Sequence, residues 1–72
     1  MGGDGGVAFN ASNEEAIRAF IAGKISFLSI FDVVEDTLSH WSAEPVVSYD
    51  SVLSSDRKAR ALADAFISRK CL

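Results

Sequence analysis

Seventy-two residues suffice for one domain with one core, and a chain of this size buries only about 60% of the surface its unfolded form exposes. Ten acidic against seven basic side chains give a formal net charge of -3. That balance, with no basic stripe, argues against a nucleic-acid partner. Hydrophobic residues make up 49% of the chain, above what a disordered segment carries. No apolar run approaches the roughly 18 residues of a membrane span. No charged start with an apolar run reads as a signal peptide, so a chain free of the membrane in a reducing compartment is expected. The single cysteine, Cys71, allows neither an internal disulfide nor a cysteine-based zinc site and reads as an end thiol.

The opening Met1-Gly-Gly-Asp-Gly-Gly6 costs backbone entropy and packs little, so residues 1–6 are expected to be a flexible start. No strand precedes it and no Gly-Lys-Ser follows, which sets aside a phosphate loop. Residues 7–72 are expected to form an all-α unit, a small bundle of three main helices and one short one. In the first helix Phe9, Ala16, Ile17, Phe20 and Ile21 share one apolar stripe. Ser12 with Glu15 reads as a capping box at its start; a start near Val7 would place Ser12 inside it. Gly23 suits the left-handed position after the last turn.

The second helix draws on Lys24 to Ser42, with Ile30, Val33, Val34, Thr37, Leu38 and Trp41 inward and Asp32, Glu35, Asp36 and Ser39 opposite. Ile25 and Phe27 are placed to seal the turn before it. Phe31 lies off the inward stripe and is the best candidate for a docking face. Pro45 stops the helix, leaving a connection in which Val46 and Val47 could lie over the core. Ser48 caps a short helical turn that buries Val52 and Leu53. Ser55 or Asp56 then caps the last helix. There Ala59, Leu62, Ala63, Phe66 and Ile67 form the apolar stripe, with Arg57, Lys58, Arg60 and Asp64 outward.

Little here has the spacing of chemistry. His40, the only histidine, follows Asp36 by one helical turn, but two residues fall short of the three converging ligands a metal site needs. Glu14–Glu15 and Glu35–Asp36 are sequence neighbours and point in different directions on a helix. No serine sits in GxSxG or SxxK. Asn10 and Asn13, three residues apart and beside Glu14, are not explained by a helix start. They read as a polar network tying the first helix to something nearby.

The order of motifs resembles a known family. Gly2-Gly3, then Asn10-Ala11-Ser12-Asn13-Glu14, then Phe20-Ile21-Ala22-Gly23-Lys24-Ile25 and Phe27 is similar to the opening of the C-terminal helical domain of the 1-deoxy-D-xylulose 5-phosphate reductoisomerase family. Ser48, Val52, Leu53, Asp56, Ala59 and Arg60 resemble its closing pattern. Ser12 departs from the family's usual alanine, and Gly5-Gly6 from its small residues with proline.

The resemblance implies that this chain is the last part of an enzyme whose other domains bind NADPH and Mg2+ or Mn2+. That enzyme converts 1-deoxy-D-xylulose 5-phosphate to 2-C-methyl-D-erythritol 4-phosphate in non-mevalonate isoprenoid synthesis. Neither the family's dinucleotide motif nor its metal motif is present here, so no catalytic, cofactor or metal residue carries over. What the resemblance carries over is Asn10, Asn13 and Glu14 as a structural, interdomain network. It also implies a bacterial cytoplasmic or plastid-type setting, the enzyme's remaining domains as partners and a full-length homodimer. The rival expectation is a free-standing helical module for protein interaction.

Overall fold

The computed structural model describes residues 3–70, and within them the chain folds as three α-helices. They are α1 (Gly5–Ile21), α2 (Ser29–Ser39) and α3 (Tyr49–Lys70). The expected flexibility of Met1 and Gly2 and the end thiol of Cys71 fall outside the described residues. At 1.5 Å per residue, the 22-residue α3 accounts for most of the 37 Å long axis of the molecule. α1 packs on both other helices, and α2 and α3 also touch each other.

From Gly3 onward the expected loose start is instead tied down. The Asp4 amide donates to the Glu44 carbonyl at 3.0 Å, and Gly3 pairs with Pro45 in an isolated antiparallel bridge. A Cβ on Gly3 would lie 3.2 Å from that of Ala43, so this approach is close. Gly5 and Gly6 form the first turn of α1, earlier than either start read from the sequence. Ser12 is therefore not a cap. It is fully buried within α1, and its hydroxyl donates to the Ala8 carbonyl at 2.8 Å.

Gly23 takes the expected position, with φ 79°. The Gly23 amide donates to the Phe20 carbonyl at 3.0 Å and the Lys24 amide to the Ala19 carbonyl at 2.9 Å. These two bonds satisfy carbonyls that the helix end would otherwise leave open. α2 begins later than read: residues 24–28 form the turn, and the Ser26 hydroxyl accepts from the Ser29 amide at 3.3 Å.

The short fourth helix does not stand apart. Ser48 caps as expected, accepting from the Ser51 amide at 3.1 Å, while the Ser51 hydroxyl accepts from the Ser48 amide at 3.1 Å. The helix then runs unbroken through Ser55 and Asp56 to Lys70. Neither residue caps a second helix, because mid-helix amides are already bonded within α3; their side chains bond Asp4 and Arg60 instead.

The core is built from small side chains. Ala16, Ala19, Ile30, Val33, Ala63 and Ile67 form its larger part, with Ile25 and Phe66 packed against it. Ala8, Ala11 and Ala59 form the smaller part, covered by Trp41. Alanines on facing stripes let α1 and α3 approach closely. The stripe expected for α1 is consequently misplaced: of its members only Ala16 is buried, while Phe9, Ile17, Phe20 and Ile21 face outward. Phe27, Val46 and Val47 are likewise exposed rather than laid on the core, and Leu53 is only partly covered. Of the inward set expected for the second helix, Ile30, Val33, Val34 and Thr37 are buried and Trp41 is half-buried, but Leu38 is exposed, as is Phe31.

Candidate functional site

The densest group of polar contacts lies where α1 meets α3. Arg60, expected to face outward, reaches across instead. Its Nη1 donates to Glu15 and its Nη2 to Glu14, each at 2.7 Å, while its Nε donates to Asp56 at 2.8 Å. A planar guanidinium presents its donors as a fork, which suits three carboxylates arranged around it. The hydrogen bonds that Arg60 donates to Asp56, Glu14 and Glu15 hold it firmly in its charged form. Burial is the largest single influence on the Glu15 carboxyl and would raise it. The hydrogen bond from Arg60, the contact with Asp64 and the charges of Arg18 and Arg60 together outweigh it and leave Glu15 below its usual value. Asp64 moves the other way, raised by burial and by the neighbouring Glu15 carboxylate. Arg18 adds a looser pairing to Glu15 at 3.6 Å.

Of the three residues singled out for a polar network, two meet. The Asn10 amide donates to Glu14 at 3.4 Å, a long bond on an exposed face. Glu14 in turn pairs with Arg60. Asn13 stands apart from them: half-buried, it lines an apolar groove on the outer side of α1 and α2.

A second polar centre was not foreseen. Asp4 is only 2% exposed, yet it is a free carboxylate among donors. Its Oδ1 accepts from the Trp41 indole at 2.8 Å and from the Glu44 amide at 2.9 Å, and its Oδ2 from the Ser55 hydroxyl at 2.5 Å. The hydroxyl of Ser55 and the amide of Glu44 hold the Asp4 carboxyl at about 2, against the opposing effect of burial. One side chain thus joins the start of α1, the end of α2, the connection and α3. Lys58 lies over the Trp41 ring, 4.9 Å from its centroid. A lone acid between glycines offers no periodicity, and its partners are distant in sequence, so no local signal could have revealed it.

His40 closes α2. Its Nδ1 lies 2.9 Å from the Asp36 carbonyl and 3.5 Å from the carboxylate. Among the described residues, no group of three or more His, Cys, Asp or Glu is placed to hold a metal ion. The carboxylates that do converge are those bound to Arg60.

The groove on the outer side of α1 and α2 is concave and almost wholly apolar. Phe9 and Asn13 of α1 and Ile30, Phe31, Val34 and Leu38 of α2 line about 610 Å³, with Glu35 and Ser39 at the edge. Beside it Phe20, Phe27 and Phe31 form a run of edge-to-face rings, each step 5.8 Å. Phe9 is 53% and Phe31 60% exposed.

The molecule is thus a small helical domain, braced by two polar centres, with Phe9, Phe20, Phe27 and Phe31 exposed on its outer side. The family model described as the DXP reductoisomerase C-terminal domain matches residues 1–62. The 1-deoxy-D-xylulose 5-phosphate reductoisomerase of Ralstonia pickettii (strain 12J) is 41% identical over 70 residues, which is 97% of this chain and 18% of that protein. The enzyme of the same name from Treponema denticola is 45% identical over 67 residues, 92% of this chain and 17% of its own. That of Paenarthrobacter aurescens is 49% identical over 53 residues, 74% of this chain and 14% of its own. This chain belongs to the DXP reductoisomerase C-terminal domain family. It spans less than a fifth of the length of the relatives it matches.

Proposed function

We propose that this chain is the C-terminal structural part of a 1-deoxy-D-xylulose 5-phosphate reductoisomerase. The whole enzyme would convert 1-deoxy-D-xylulose 5-phosphate to 2-C-methyl-D-erythritol 4-phosphate for isoprenoid synthesis. NADPH and Mg2+ or Mn2+ would be held by residues outside this chain, since the carboxylates that converge here are bound to Arg60 and do not fit a metal. The chain's own work is to brace the catalytic domain, and alone it turns over nothing. Asn10, Asn13 and Glu14 take part in that bracing, and the full enzyme pairs as a homodimer. No helix among the described residues is long and apolar enough to cross a membrane. The setting that goes with the family resemblance is the bacterial cytoplasm or a plastid-type organelle.

The observation that carries this reading is the family match over residues 1–62 within relatives several times longer than this chain. The test is to mix the chain with the Ralstonia pickettii enzyme truncated to lack the matching stretch. NADPH oxidation is then followed with substrate and magnesium. Recovered activity supports the reading. Turnover by the chain alone, or no recovery with both parts folded, would sink it and favour a free-standing interaction module.

A further inference from the structure

We infer that the groove between α1 and α2 is the seat of an apolar segment from the rest of the same enzyme, one that carries a basic side chain to meet Glu35. The assignment rests on the reading of the chain as one part of a reductoisomerase and specifies which face meets the remainder.

The groove has the makings of an interface core. Phe9, Ile30, Phe31, Val34 and Leu38 give it walls from two helices, and aromatic anchors in a desolvated pocket dominate binding energy. A second exposed apolar patch, Ile17 and Ile21, lies on α1 alone beside Glu14 and Arg18 and lacks a second wall. Asn13 gives the groove one polar point, and its amide makes no hydrogen bond among the described residues. A partner's backbone or polar side chain would satisfy it.

Charge then narrows the occupant. Along α2, Asp32 pairs with Lys70 at 3.5 Å, and Asp36 lies 3.9 Å from Arg69 and 3.5 Å from His40. Glu35, at the groove's edge, pairs with no basic group among the described residues. A second copy of this chain would bring net charge -3 and the same open carboxylate to the contact. Like charges placed together across an interface are costly. The relatives are matched over only 17–18% of their length, so a long stretch of enzyme chain is there to supply the occupant.

The test is cysteine footprinting of a full-length chimera. The 72 residues replace the matching stretch of the Treponema denticola enzyme, with Phe31→Cys at the groove or, separately, Glu35→Cys at its edge. Glu35 is exposed, so the second variant keeps the test valid if the first folds poorly. Val47→Cys, 79% exposed and remote from the groove, is the control. Maleimide labelling is read peptide by peptide in the chimera and in the isolated chain.

Labelling at least tenfold slower at positions 31 and 35 in the chimera, with position 47 unchanged, is the expected result. Equal labelling in a chimera that turns over substrate would overturn the groove assignment and leave the bracing function standing. Equal labelling in an inactive chimera would overturn both. Protection that appears in the isolated chain as its concentration rises would make the occupant a second copy and also overturn the assignment.

Discussion

The Trp41 indole N–H donates to the Asp4 carboxylate at 2.8 Å across 37 positions of sequence, and the Ser55 hydroxyl reaches the same carboxylate across 51. A single buried acid therefore closes the bundle at one end. Because its carboxyl sits near 2 in the folded chain, against about 3.9 when unfolded, its contribution is present above the unfolded value. It is lost as pH falls through the folded one. Asp4→Asn, which turns amide protons towards existing donors, is expected to cost about 1–3 kcal/mol at pH 7. The cost should shrink as pH approaches 2. Urea unfolding of both proteins at pH 7, 4 and 2.5 checks this; a pH-independent difference would contradict it.

Arg60 holds Glu14, Glu15 and Asp56 together, and Glu15 is only 8% exposed. Arg60→Ala would leave that carboxylate without its main cation, with an expected loss of about 2–4 kcal/mol. Arg60→Lys should restore less than half, because an ammonium cannot serve three carboxylates as a fork does. Full rescue by lysine in thermal unfolding would show that charge alone matters here.

The Thr37 hydroxyl is buried with no hydrogen-bond partner among the described residues. Replacing an unsatisfied buried hydroxyl with a methyl of the same shape removes a desolvation cost. Thr37→Val is expected to raise stability by about 1 kcal/mol, read as a higher midpoint in urea. A lower midpoint would mean that the hydroxyl has a partner in solution.

Gly23 adopts φ 79° where nothing crowds a Cβ. Any cost of Gly23→Ala is therefore conformational, about 1 kcal/mol for a side chain in the left-handed region. Gly23→Asn should cost less than Gly23→Ala. Calorimetry ranking the two variants the other way would count against this account.

The outer face offers a contrast. Phe31 is 60% exposed, so in the isolated chain Phe31→Ser should change stability by no more than about 0.5 kcal/mol. A larger loss in chemical unfolding would show that the aromatic run with Phe27 supports the bundle itself.

What the sequence by itself determined is local. Period and end signals are written into neighbouring residues: Gly23 must follow a helix, Ser48 must begin one, and Ile30, Val33 and Val34 must share a face, although α2 stops at Ser39, short of the proline expected to end it. The motif order was also enough to point to the family. The tertiary structure alone decided which of two stripes on α1 turns inward. Ala8, Ala11, Ala16 and Ala19 repeat at helical spacing as faithfully as Phe9, Ile17, Phe20 and Ile21 do. Hydrophobicity favours the larger set, but close packing against Ala59 and Ala63 of α3 admits only the smaller. That choice put the aromatics outside, where a partner can reach them. It also drew Arg60 and Asp4 into contacts spanning 45 and 51 positions, set by the path of the chain and not by the residues beside them.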